Sequence, residues 1–217
     1  MLYREAGDFS TSYPEDSQTF PIKFDRYRYY AILAVAFLVI PFLINDYWAN
    51  AVLVPFLIYS IAAIGLNILT GYCGQVSLGT GGFMAVGAYA FYKLMTAFPD
   101  ISIMIHVLLA GGVTAAVVTL FGLPSLRIKG FYLAVATLAA QFFLVWMFNK
   151  VPWFYNYSMT GMINSPERTV LGVVVTGPNT DAWAKYMVCL IFVTICAYLA
   201  RNMTRGSVGR KWMAIRD

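Results

Sequence analysis

The chain has 217 residues, of which 60% are hydrophobic and only 12% are charged, and its mean hydropathy is +0.68. Soluble domains are about half apolar and a quarter charged, so this composition excludes an ordinary soluble domain and indicates an integral membrane protein. The excess of 15 Lys and Arg over 10 Asp and Glu is more typical of basic cytoplasmic loops than of nucleic-acid binding. We therefore predict membrane lipid, and not nucleic acid, as the surroundings of this chain.

Six apolar segments approach the roughly 20 residues that a helix needs to cross a hydrocarbon core about 30 Å thick. The sequence thus predicts an all-α fold, a polytopic transmembrane helix bundle of about six spans. The first span contains Pro41, which spanning helices tolerate as a kink. The segments are 29–44, 47–70, 76–98, 101–123, 131–149 and 183–200.

Basic residues cluster before the first span, between the fourth and fifth spans, and after the sixth. These connections lie on one side of the membrane, and the side rich in Lys and Arg is the cytoplasmic one. We therefore predict that both termini are cytoplasmic. The resulting domains are a polar cytoplasmic leader (1–28), a transmembrane domain (29–202) with an outer loop at about 150–182, and a cytoplasmic segment (203–217).

The predicted outer loop begins with "KVPWFYNYSMTG", an aromatic cluster of the kind that lies at the membrane–water interface. It continues with "VLGVVVTG", an apolar run too short to span. Two interpretations stay open, a loop that lies on the bilayer surface and a loop that contacts an external partner.

The stretch "GYCGQVSLGTGG", residues 71–82, breaks the apolar pattern with five glycines and three polar side chains. Polar groups at membrane depth are tolerated only where they are buried in protein or face a water-filled cavity. We therefore predict a broken or re-entrant region near residues 71–80, with a helix N-terminus near Ser77 that suits a carboxylate. The candidate residues of a substrate path are Asn67, Gln75, Ser77 and Thr80.

The same stretch has a second interpretation, a tight turn followed by a glycine-rich helix face. Small residues let neighbouring membrane helices approach closely. The candidate packing residues are Gly79, Gly82 and Gly87.

The sequence predicts no catalytic site, no metal site and no cofactor bound by this chain. The single histidine, His106, has no carboxylate near it in sequence, and a structural role is the simpler interpretation. The three cysteines predict neither a disulfide framework nor a metal site. The glycine-rich stretch lacks the Gly-Lys-Ser/Thr ending of a phosphate loop, so any ATP would be bound by another chain.

Three stretches together carry a family resemblance. They are "GLNILTGYCGQVSLGTGGFMAVGAYA" (65–90), "LPSLRIKGFYLAVATLAAQ" (123–141) and "RGSVGRKWMAIRD" (205–217). In this order they closely resemble permease subunits of branched-chain amino acid ABC importers, the LivM type. Members of that family continue past the third stretch with further spans, so we expect a second structural half outside this sequence.

The resemblance implies a transmembrane permease subunit of a bacterial ATP-driven importer for leucine, isoleucine and valine, in the inner membrane. The implied mechanism is alternating access, powered by ATP and Mg in partner ATPase subunits. The implied partners are a second permease subunit in a heterodimer, two ATP-binding cassette subunits and a periplasmic amino-acid-binding protein. The residues matched to the segment that couples to the ATPase are Gly209, Arg210, Ala214, Ile215 and Arg216.

Other functions stay open on the sequence alone. The nearest alternative is a related ABC permease for urea, amides or other amino acids. From another class comes a passive channel or a non-transporting membrane subunit, which the absence of carboxylates within the spans allows. A membrane enzyme has the least support, because no acid, base or metal constellation is present.

Overall fold

The structure, a computed structural model, describes residues 12, 23–125, 131–160, 163–170, 172–178 and 180–216. Most of the predicted leader and the basic residues Arg127 and Lys129 lie outside the described residues. Helices dominate the described chain, which confirms the predicted all-α, polytopic helix bundle. The chain forms two compact units, residues 1–44 and 45–217.

The first unit contains one continuous helical segment. It consists of α1 (Lys23–Ala34), a π-helical turn (Val35–Val39) and α2 (Ile40–Leu43). The segment begins at Lys23 rather than at Tyr29, where the predicted span starts. Long basic side chains near a helix end can extend toward the interface, so the charged residues in this first part do not prevent helix formation.

Two π-helical turns each end two residues before a proline. Val35–Val39 precedes Pro41, and Ala49–Leu53 in the second unit precedes Pro55. A proline lacks the backbone N–H and its ring crowds the carbonyl one turn earlier. The wider π turn keeps the helix continuous, because the N–H of Ile40 bonds to the carbonyl five residues back and that of Val54 does the same.

The second unit opens with another continuous helical segment, and a non-helical link separates it from five further helices of the described chain. The link is 73–79. The elements are α3 (Asp46–Trp48), the π turn Ala49–Leu53, α4 (Val54–Asn67), a third π turn Ile68–Tyr72, α5 (Thr80–Ala97), α6 (Ile103–Ser125), α7 (Phe131–Lys150), β1 (Arg168–Val170), β2 (Val173–Thr176), α8 (Ala182–Arg205) and α9 (Ser207–Arg216).

Five helical segments of the described chain are long and apolar enough to cross a membrane. The remaining predicted span corresponds to α5, which has 18 residues and carries several glycines and Lys93. The count of six spans and the cytoplasmic termini stay predictions. The five segments are Phe24–Leu43, Asp46–Tyr72, Ile103–Gly122, Tyr132–Lys150 and Ala182–Arg205.

Helix α5 packs against both α6 and α7. Its buried Val86 joins Leu144 and Phe148 of α7 in an apolar cluster. The ring of Tyr89 stacks on Phe148 at 4.3 Å between centroids. Helix α4 packs mainly on α8 and touches α5 only sparsely, so a gap is left between α4 and α5.

Glycines set the distance between α5 and its neighbours. A Cβ on Gly82 would lie 3.0 Å from the Cα of Gln141 in α7, and one on Gly87 would lie 3.2 Å from the Thr114 hydroxyl of α6. The three predicted packing glycines therefore all lie at close contacts, the third being Gly79, which is described with the site below.

The apolar run of the predicted outer loop forms a β-hairpin rather than an irregular surface loop. Strands β1 and β2 are antiparallel, with Val170 opposite Val173. Gly172 occupies the turn at φ +83, a backbone conformation that favours glycine. Strand β2 packs against α8, which holds the hairpin to the bundle, and both interpretations of the loop stay predictions.

We predict that Gly82→Ala destabilises the bundle, because its Cβ would press on the α7 backbone and force α5 and α7 apart. Overpacking of this kind costs about 1–3 kcal/mol, and it should lower the thermal unfolding midpoint in detergent. Gly112→Ala in α6 is the matched control, because its added Cβ meets nothing within 4 Å. Equal midpoints for Gly82→Ala and the wild type would contradict the close packing at this contact.

Candidate functional site

The break predicted near residues 71–80 is present as the non-helical link 73–79 between the π turn Ile68–Tyr72 and α5. Gly74 has φ +66, which lets the chain turn out of the helix. The N–H of Gln75 reaches back to the carbonyl of Leu69 at 3.1 Å, and the N–H of Gly79 bonds to the Ser77 hydroxyl at 3.4 Å. The link is thus a compact turn with several of its backbone groups paired.

Thr137 of α7 provides the long-range contact to this link. Its hydroxyl accepts the N–H of Leu78 at 2.9 Å and donates to the carbonyl of Ala134 at 2.9 Å. Beside it, a Cβ on Gly79 would lie only 2.7 Å from the Thr137 carbonyl oxygen. Only glycine permits this approach, so Gly79 and Thr137 together fix where α5 begins.

An open cavity of about 800 Å³ lies along α5, between α4 and α6. Among the described residues that line it, only Ser77, Thr80 and Thr114 have polar side chains. The rest of the lining is aliphatic, aromatic or glycine. The cavity is therefore a largely apolar groove. Two of its hydroxyls lie at the helix break, and the third belongs to Thr114 of α6.

The four predicted path residues separate into two pairs. Ser77 and Thr80 line the cavity, whereas Asn67 and Gln75 are not among its lining residues. Asn67 is exposed, and its side-chain oxygen lies 3.1 Å from where a Cβ on Gly71 would be. The geometry thus brings together only the two hydroxyl residues of this set.

Sequence reasoning missed three polar residues that shape the site, Thr114, Thr137 and Gln141. Thr114 lies in the cavity against Gly87, and its hydroxyl donates to the carbonyl of Ala110 at 2.8 Å. All three are polar residues within long apolar helices, and polar residues in such helices tend to face the interior of the bundle.

The predicted coupling residues lie on α9, which turns away from α8 at Gly206. Gly209 is buried, and a Cβ there would lie 1.9 Å from the Thr204 carbonyl oxygen. Gly209 therefore shapes the bend between α8 and α9 and presents no surface to a partner. Arg210, Ala214 and Ile215 are exposed, and Arg216 is the last residue of the helix.

The single histidine, His106, is buried near the start of α6. His106 is 1% exposed, and its Nδ1–H donates to the carbonyl of Ser102 at 3.1 Å. Within the described ranges, no group of three His, Cys, Asp or Glu side chains is placed to hold a metal ion.

The fold and the site together define a multi-pass helical membrane protein with an open groove at a helix break. Residues 49–217 match the family described as "Branched-chain amino acid transport system / permease component". The chain belongs to this family.

Two curated relatives bear the name "High-affinity branched-chain amino acid transport system permease protein LivM". The protein of Salmonella typhimurium is 30% identical over an alignment of 185 residues, which covers 74% of this chain and 42% of the relative. The protein of Escherichia coli is 28% identical over an alignment of 210 residues, which covers 86% of this chain and 47% of the relative. The chain thus spans less than half the length of these relatives, and no solved structure matches it.

We predict that Thr137→Val loosens the break while preserving the shape of the side chain. The Leu78 N–H would lose its acceptor, and a hydrogen bond of this kind contributes about 0.5–1.5 kcal/mol. Amide hydrogen exchange at Leu78 should accelerate, and the thermal midpoint should fall. Thr119→Val is the control, because Thr119 is exposed and its hydroxyl bonds only within its own helix, to Ala115. Unchanged exchange at Leu78 would show that Thr137 does not hold the link.

Proposed function

We propose that this chain is the membrane-spanning permease part of a bacterial ATP-driven importer for branched-chain amino acids. The observation that carries the proposal is the groove at the helix break, in a chain of the permease family. Two of its polar side chains, Ser77 and Thr80, belong to the motif at the break. The location we propose is the bacterial inner membrane.

The lining of the groove favours aliphatic substrates. Leucine, isoleucine and valine each carry an apolar side chain, which an apolar wall accommodates without loss of hydrogen bonds. Urea and short amides are polar over most of their surface, and burying such groups without partners costs several kcal/mol. The apolar wall therefore fits the side chain of a branched-chain amino acid better than it fits urea or a short amide, while the ammonium and carboxylate of the amino acid would need the polar groups at the break.

The energy source we propose is ATP bound with Mg by partner ATPase subunits, so this chain is not itself an enzyme. A second permease subunit, two ATP-binding cassette subunits and a periplasmic amino-acid-binding protein complete the assembly. The exposed basic and apolar surface of α9, with Arg210 and Ile215, suits docking on a partner. In alternating access, closure of the ATPases would act through α9 and open the groove to one side at a time.

We predict that Thr80→Val lowers uptake of branched-chain amino acids several-fold, because a hydroxyl contact with substrate contributes about 0.5–1.5 kcal/mol. The measurement is uptake by the full complex in proteoliposomes with loaded binding protein. Thr119→Val again serves as control, since it loses a hydroxyl outside the groove. Wild-type uptake by Thr80→Val would remove Thr80 from the substrate path.

We predict that Arg210→Glu uncouples hydrolysis from transport. The reversed charge on the exposed face of α9 would repel an acidic docking groove while leaving the membrane helices intact. ATP hydrolysis stimulated by loaded binding protein should fall at least about tenfold, as for the loss of about 1.4 kcal/mol. Arg26→Glu, an equal charge change at an exposed position of α1, should retain stimulation. Full stimulation in Arg210→Glu would count against the role of α9.

A further inference from the structure

The far end of α5 is held by the β-hairpin of the predicted outer loop. The guanidinium of Arg168, the first residue of β1, donates from Nη1 to the carbonyl of Pro99 at 2.5 Å. It also donates from Nη2 to the carbonyl of Met95 at 3.0 Å. These bonds connect residues about seventy positions apart in the chain.

The chemistry of this contact follows from the helix end. The last four carbonyls of a helix have no partner within it, and Met95 contributes one of them because α5 ends at Ala97. The C-terminal end of a helix also carries partial negative charge, which favours a cation. Arg168 therefore provides both a donor for the free carbonyl and a positive charge for the C-terminal end of α5. Its two acceptors are backbone carbonyls, which do not change rotamer.

A second attachment lies on the same last turns of α5. The ammonium of Lys93 lies 4.3 Å from the ring centroid of Trp153 and also donates to the side-chain oxygen of Asn156. The amide of Asn156 in turn donates to the Tyr92 hydroxyl at 2.7 Å. The loop thus forms hydrogen bonds with the C-terminal part of α5 at two points, through Arg168 and through Asn156.

The opposite end of α5 is the break. Thr80 begins the helix, and Phe83, Met84 and Gly87 follow it along the groove. One rigid helix of 18 residues therefore joins the loop contacts to the groove. A displacement of the hairpin acts on α5 directly through the two bonds of Arg168.

We propose that Arg168 is a positioning residue for transport. When a loaded binding protein docks on the predicted outer loop, Arg168 transmits the resulting displacement of the hairpin to α5. This inference rests on the proposed function. Arg168 does not contact the substrate; it acts through the C-terminal end of α5 and so on the groove at Ser77 and Thr80.

The test uses the full complex with its ATPases in proteoliposomes and records ATP hydrolysis against the concentration of loaded binding protein. In Arg168→Gln we expect the maximal stimulated rate to fall at least about fivefold, because bonds from a charged donor are lost. The basal rate and the half-maximal binding-protein concentration should keep their wild-type values. Arg168→Lys retains the cation and should give an intermediate rate. Thr119→Val, at an exposed position outside both the loop and the groove, should behave as the wild type.

Each other outcome overturns the inference in a distinct way. A higher half-maximal concentration with an unchanged maximum would make Arg168 a docking contact. A joint loss of basal rate and thermal stability would make its role structural, and wild-type stimulation would leave it without a role. If Arg168→Gln does not assemble, a wild-type maximum in Arg168→Lys overturns the proposal and an intermediate one supports it. A wild-type complex that binding protein does not stimulate contradicts the proposed function itself.

Discussion

The hydrogen bond between Thr137 and the backbone of Leu78 is the contact on which the site depends. A chain that leaves helical geometry within a membrane bundle must find partners for its backbone groups inside the protein. Thr137 supplies one acceptor from α7, and Gly79 brings the two backbones close enough for the bond to form. Because both residues act at the first turn of α5, they determine where this helix starts and which of its side chains face the groove.

The position of α5 then determines the shape of the groove. Its glycines draw it against α6 and α7, while α4 packs instead on α8. The side of α5 that faces α4 is left open, and the groove lies there, with Ser77 and Thr80 at one end. Close packing on two sides and a gap on the third are thus consequences of where the small residues lie.

Apolar length and the interruption at residues 71–82 predicted the helices and the break, because the membrane imposes both. The same reasoning placed Asn67 and Gln75 in the path with Ser77 and Thr80, and the structure brings only the last two to the groove. Two π turns of the second unit explain part of this difference. Ala49–Leu53 precedes Asn67 and Ile68–Tyr72 precedes Gln75, and each turn shifts the face that later residues present. The hairpin was missed because a short run of valines shows no periodicity that distinguishes a strand from a loop or from the end of a helix.

The two motifs at the break and at the end of the chain meet in space, although they are far apart in sequence. Helix α9 packs on the last turn of α8 and on the π turn Ile68–Tyr72, which leads directly into the link. The bend that allows this packing requires Gly209, because any side chain there would collide with the Thr204 carbonyl. Protein interiors are close-packed and transmit displacement, so a shift of α9 would act on the turn that precedes Ser77 through this contact. The segment resembling a coupling motif and the segment resembling a substrate-path motif are therefore mechanically connected within this chain.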